Sequence, residues 1–235
     1  ILSGLVGSEM CIRDRFNGVL YLNGLTTLSD NAAWSLANCR ASLYLNGLTT
    51  LSLATAEAMA HHKRSLNLGG LAALTPEIAT LLAKHQEKLT LDGLTTITPE
   101  VAKALAKHVG FLFLNGLTTL PIEVGEALAQ HKGVLYLDGL KAISDKAALA
   151  LAQFNGLLSL NGLTTLSEGA AGALAMHKSF LYLNGLTTLS GESATALAQH
   201  KAWLSLKGLT TLSEKGAAAL RSNPEIILPE QFRQY

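Results

Sequence analysis

Apolar positions along this chain change period within short distances and then start again. Leu20 and Leu22 flank Tyr21, an alternation that predicts a short strand with its leucines on one side. Leu25 and Leu28 return to the same interior after a polar turn, and Ala33, Leu36 and Ala37 follow at the spacing of one helical face. The string LYLNGLTTLS, residues 20–29, recurs letter for letter at 43–52 and 181–190, with approximate copies between. Its glycine falls at Gly24, Gly47, Gly70, Gly93, Gly116, Gly139, Gly162, Gly185 and Gly208, every step 23 residues. A strict short period predicts a stacked solenoid whose core runs along the array, in place of one or two compact domains.

The polar letters of the unit predict its turns. Asn23-Gly24 and its equivalents Asp92-Gly93, Asp138-Gly139, Gly69-Gly70 and Lys207-Gly208 read as a tight turn whose constant glycine tolerates positive φ. Ser29 reads as a helix N-cap, a column continued by Ser52, Thr75, Thr98, Ser144, Ser167, Ser190 and Ser213 and broken by Pro121. Pro76 and Pro99 suit the first helical position, and Asp30, Asp145, Glu168 and Glu214 suit the positive end of the helix dipole. A helix of about ten residues is marginal by itself, so packing of its small alanines on neighbouring helices must hold it.

Two segments leave the pattern. Residues 1–15, ILSGLVGSEMCIRDR, fit neither the repeat nor a signal peptide. Met10 to Asp14 resembles a frame translation of a transposase-type sequencing adapter, so 1–15 is expected to be a non-native segment on a truncated, metagenomic-type gene fragment. Repeat sequence resumes at Phe16-Asn17-Gly18, which matches Phe154-Asn155-Gly156. If Cys11 is not native, Cys39 alone remains and the redox compartment is undetermined. After Gly208 the pattern decays through Arg221, Asn223-Pro224 and Pro229, so residues 222–235 are expected to cap an array of nine repeats over 16–221.

The unit L-x-L-x-x-L-x-x-L-S/T-D/E/P, followed by a short helix, resembles the leucine-rich repeat family, and bacterial-type 23-residue repeats in particular. Leu20, Leu22, Leu28, Ser29 and Asp30 match the cysteine-containing class. Leu25 departs from it, standing where that class has cysteine and others have asparagine. The family's asparagine or cysteine ladder is therefore expected to be absent, leaving loop amides to the turn, neighbouring backbone or water. The resemblance implies an α/β leucine-rich-repeat solenoid, a curved right-handed array with a parallel sheet on the concave face and short helices on the convex face. It also implies partner binding on the concave side, although fold alone does not name a function.

Composition narrows the functional classes. Hydrophobic residues make 49% of the chain and charged residues 15%, enough for a continuous core. A formal net charge of +1 suggests neither a nucleic-acid nor a membrane partner, and no apolar run reaches the length of a membrane span. Eight of thirteen aromatics occupy the outward strand columns: Tyr21, Tyr44, Phe111, Phe113, Tyr136, Phe180, Tyr182 and Trp203. They are the candidate binding residues, because exposed aromatic surface of this extent usually anchors a partner; the competing account is that such residues simply suit strands and stack along them.

A histidine column, His62, His85, His108, His131, His177 and His200, invites a metal array. Packing beneath the helix end is the better account, since helices 8–10 Å apart do not bring imidazoles to one ion and the column also accepts Cys39 and Phe154. His61 lies outside it and reads as surface. Threonine pairs from Thr26-Thr27 to Thr210-Thr211 raise ice binding, but Ala72-Ala73 and Lys141-Ala142 interrupt them, and hydroxyls bonding loop backbone explain them. No phosphate loop, paired carboxylates or placed nucleophile suggests an enzyme, and no metal or cofactor is implied. The expectation is a non-enzymatic, monomeric module binding a protein or a glycan through the aromatic face, with a structural spacer or surface-display array as the alternative. The compartment stays open.

Overall fold

The computed structural model describes residues 17–233; the expectations about residues 1–15 and Phe16 lie outside them. Ten strands form one sheet in strict chain order, every neighbouring pair parallel. They are β1 (Val19–Tyr21), β2 (Ser42–Tyr44), β3 (Leu66–Asn67), β4 (Leu89–Thr90), β5 (Phe111–Phe113), β6 (Val134–Tyr136), β7 (Leu158–Ser159), β8 (Leu181–Tyr182), β9 (Leu204–Ser205) and β10 (Ile226–Ile227). Between them lie α1 (Asp30–Ala37), α2 (Leu53–Ala60), α3 (Pro76–Leu82), α4 (Pro99–Leu105), α5 (Ile122–Leu128), α6 (Asp145–Leu151), α7 (Glu168–Ala175), α8 (Gly191–Leu197) and α9 (Glu214–Arg221). This is an α/β solenoid built from a 23-residue strand–turn–helix repeat.

The helices run seven or eight residues, shorter than the ten expected, because the chain turns toward the next strand as soon as one face is spent. The cap column is as the sequence suggests: each Ser or Thr side chain accepts from the amide three residues on, and Pro121 offers no such bond. The leucines of the strands and turns from Leu43 to Leu209 form one continuous core with the alanines of the helices. Parallel strands repeat every 4.7–4.9 Å whereas packed helices need 8–10 Å, so such a stack curves with the sheet inside.

Two expectations need correction. No described residue, glycine included, has positive φ. The repeat glycine is required by close approach: a Cβ at Gly116 would strike the carbonyl oxygens of Asp92 and Leu94, and the same pair of carbonyls from the preceding repeat confronts Gly93, Gly139, Gly162, Gly185 and Gly208. Second, an amide-bonding ladder exists, shifted into the turn. The Oδ1 of each turn Asn or Asp accepts the backbone N–H of its equivalent 23 residues later: Asn23 from Asn46 (3.1 Å), Asp92 from Asn115 (2.9 Å), Asn115 from Asp138 (3.0 Å), Asp138 from Asn161 (2.8 Å), Asn161 from Asn184 (2.9 Å) and Asn184 from Lys207 (3.0 Å). Leu25 can therefore be leucine, because a neighbouring column already holds the loop amides. The segment after α9 contributes a tenth strand. Ile226 pairs with Leu204, so the last step is 22 residues, and Leu228 is buried beyond it before a short 3-10 turn at Glu230–Phe232.

Candidate functional site

Alternation along each strand decides which side chains face out. Leu43, Leu66, Leu89, Leu112, Leu135, Leu158, Leu181 and Leu204 point into the core and are fully buried. The residues between and before the leucines therefore occupy the opposite face. All eight aromatics lie there, none fully buried: Tyr21, Phe111 and Phe180 are exposed, and Tyr44, Phe113, Tyr136, Tyr182 and Trp203 are half-buried against their neighbours.

Strand register divides them into three groups. Tyr21 pairs with Tyr44, their ring centroids 4.8 Å apart. Phe113 pairs with Tyr136 and the rings stack at 4.1 Å, nearly parallel, while the Lys88 ammonium sits 4.2 Å from the centre of the Phe113 ring. Phe111 extends this group toward the strand starts. Phe180 and Tyr182 both meet Trp203 edge-on, at 6.0 and 4.9 Å. Small polar residues separate the groups, and they are covered by the flanking side chains, a departure from the uniformly outward column that alternation alone implies. Thr90, Ser159 and Ser205 are 5%, 0% and 1% exposed. The Ser159 hydroxyl donates to Asp138 Oδ1 (2.7 Å) and the Ser205 hydroxyl to Asn184 Oδ1 (2.7 Å), so the turn ladder reaches the sheet face. Tyr136 and Tyr182 flank Ser159 as two walls of a notch. Burial, then the neighbouring Tyr182 and Asp138, raises the Tyr136 phenol above its ordinary range and keeps it a neutral donor.

The histidine column lies in the interior. All six rings are at most 2% exposed and stack face to face, successive centroids 5.9–6.3 Å apart, with Phe154 inserted between His131 and His177. Parallel rings at that spacing cannot aim lone pairs at one ion about 2 Å from each, and no group of three or more His, Cys, Asp or Glu is placed to hold a metal among the described residues. Two of the rings find acceptors in the preceding repeat. His62 Nδ1 bonds Ala37 O (3.3 Å) and His200 Nδ1 bonds Ala175 O (3.4 Å). Asn223, in the same column, donates to Ala198 O (2.9 Å) and His200 O (2.6 Å). Burial lowers the pKa of every member; for His85 and His177 the charge of adjacent histidines adds to it, and both fall to about 4. Cys39, also in this column, is buried, 8% exposed. His61 caps α2, its Nδ1 near Glu57 O, and its ring lies tilted against Trp34.

The threonine pairs line the exposed turn. The Thr210 hydroxyl donates to Thr187 O (3.2 Å) and the Thr164 hydroxyl to Lys141 O (3.4 Å), the inter-repeat backbone bonding expected of them. No helix among the described residues is long and apolar enough to cross a membrane.

A solenoid with an aromatic-studded sheet face is the class of protein these features define. No protein-family model and no curated protein matches the chain. Among solved structures the chain is similar to a Leptospira interrogans LRR protein, at 17% identity and a TM-score of 0.27, with 90% of this chain and 82% of that one covered. It is also similar to an internalin from Listeria monocytogenes, at 14% identity and a TM-score of 0.25, covering 91% and 86%.

Proposed function

We propose that this chain is a non-enzymatic binding module that grips a protein partner through its sheet face. The observation that carries the reading is the central group of Phe111, Phe113 and Tyr136 with Lys88 over the ring. Its members are held in place by the strand register, so ordering them on binding costs little. Aromatics with a polar tip and a nearby cation are the residues that dominate protein interfaces. The flanking groups, Tyr21 with Tyr44 and Phe180 with Tyr182 and Trp203, extend the surface and supply further anchors on either side of the Ser159 notch.

The test is a Phe113→Ala/Tyr136→Ala chain compared with the unaltered one, both immobilised, with retained proteins identified and their affinities measured by calorimetry. The double variant is expected to lose at least tenfold in affinity, while its circular dichroism spectrum stays unchanged. Equal retention by both chains would refute the site, and a chain that retains nothing would leave the structural-spacer reading standing.

A further inference from the structure

A net charge of +1 conceals a strong separation of charge across the solenoid. Eight of the nine described helices carry an acidic residue in the first turn, which places negative charge along one edge. The other edge, where the loops run from helix ends to strand starts, is basic. Over its first four loops it carries Arg40, Lys63, Arg64, Lys84, Lys88 and Lys107 against a single acid, Glu87. All but Lys88 have exposed side chains, and none is ion-paired with a described residue. Lys132, Lys178 and Lys201 continue the edge more sparsely.

Helix dipoles favour this arrangement, and their size decides whether anything is left over. Each helix C-terminus contributes on the order of half a negative charge, so α1 to α4 supply about −2. Lys88 turns to the sheet face, over Phe113, so the side chains left on this edge in the same four loops sum to +4, five cations less one acid. An excess of roughly two positive charges therefore remains. Over the remaining five described loops Lys132, Lys178 and Lys201 less Glu225 sum to +2, and five helix ends at about −0.5 each cancel it, so no excess remains there. The field is concentrated on the early repeats.

The surface there is also shaped. A hollow of about 450 Å³ is lined by Asn17, Asn38, Arg40, His61, Lys63 and Arg64. A second, about 540 Å³, shares His61 and Lys63 with it and adds Lys84, Gln86 and Glu87. His61 belongs to both hollows, and the half-exposed Trp34 ring, outside them on α1, lies 5.3 Å from the His61 ring. We propose that this edge binds an acidic linear polysaccharide, one bearing sulfate or carboxylate groups, laid across the two hollows. The cations meet its anionic groups and the amides Asn17, Asn38 and Gln86 meet its hydroxyls. The Trp34 indole offers an apolar face to a sugar ring. A single-stranded nucleic acid would call for an aromatic platform under successive bases, whereas Trp34 is a single indole and the grouped aromatics lie on the sheet face.

The experiment titrates the full chain with heparin oligosaccharides at 50 to 300 mM NaCl, with a dT20 oligonucleotide in parallel. Affinity is expected to fall steeply with salt, as when charged contacts release counterions. An Arg40→Ala/Lys63→Ala/Arg64→Ala chain should bind heparin at least tenfold more weakly, Lys84→Ala/Lys107→Ala three- to tenfold, and Trp34→Ala about threefold. Lys141→Ala/Lys207→Ala, on the other edge, and Phe113→Ala/Tyr136→Ala, on the sheet face, should stay within twofold of the parent. Circular dichroism checks that each folds. No heparin binding at 50 mM NaCl, equal loss in the Lys141/Lys207 control, or dT20 bound as tightly as heparin would each overturn the proposal.

Discussion

Acid should loosen this solenoid from within, because its interior holds a stack of neutral histidines. In an unfolded chain each imidazole titrates near 6.5, whereas in the folded chain burial drives His85 and His177 to about 4. The sign follows from proton counting: between these values the unfolded chain binds more protons, so stability is lost as pH falls through 6.5 and the loss levels off below about 4. Between pH 7.5 and pH 5 each of the two histidines removes about 2 kcal/mol, or about 4 kcal/mol together. The other four buried members add to this in the same direction. For a chain of this size 4 kcal/mol corresponds to roughly 10 °C in melting temperature.

The natural sequence suggests the perturbation. Phe154 occupies the column above Gly156, which leaves room for its ring, and His108 and His131 have Gly110 and Gly133 at the same offset. His108→Phe/His131→Phe should therefore fold, and its melting temperature by circular dichroism should fall less between pH 7.5 and pH 5 than the parent's. Two of six titrating rings are gone, so about a third of the acid sensitivity should vanish. An acid shift in the double variant equal to the parent's would refute the assignment of that sensitivity to the column.

Other substitutions probe the contacts between repeats, each read from thermal or urea unfolding. Gly116→Ala drives a Cβ into the backbone of Asp92 and Leu94 and should destabilise by about 3 kcal/mol or more; Gly172→Ala, where a Cβ meets nothing within 4 Å on α7, should stabilise by about 0.5–1 kcal/mol. Asp138→Ala removes the acceptor for both the Asn161 amide and the Ser159 hydroxyl and should lose about 2–3 kcal/mol, since both donors are part-buried. Thr98→Ala deletes the cap on the Val101 amide and should lose about 1 kcal/mol.

How much of the molecule was legible in the sequence depended on the distance over which each feature is decided. Ser29 caps its helix through Ala32, three residues on, and seven further members of its column could be read the same way. The placement of Tyr44 or Phe113 on the outer face followed from alternation with two leucines. Their division into three groups did not, because it rests on which side chain 23 residues away lies alongside: Phe113 meets Tyr136, while Tyr136 faces Ser159 on its other side. Lys88 over Phe113 is likewise an encounter between adjacent repeats. The basic edge escaped notice because a chain-wide sum of charges averages the two edges that the fold separates.

The sequence by itself determined the period, the order of strand, turn and helix, the leucine core and the helix starts, all of which follow from local spacing and local hydrogen bonding. Tertiary structure decided what the constant letters are for. Gly47 and its successors are glycine because the backbone of the preceding repeat passes against them, not because of their own dihedral angles. The turn asparagines form the ladder because stacking brings each carboxamide beneath the next repeat's amide, and His62 and His200 reach carbonyls of the helix before their own. The tenth strand forms from a 22-residue step because an open sheet edge accepts any chain that can pair with it while burying Ile226 and Leu228. Each of these contacts joins residues about one repeat apart, and only stacking brings such residues together.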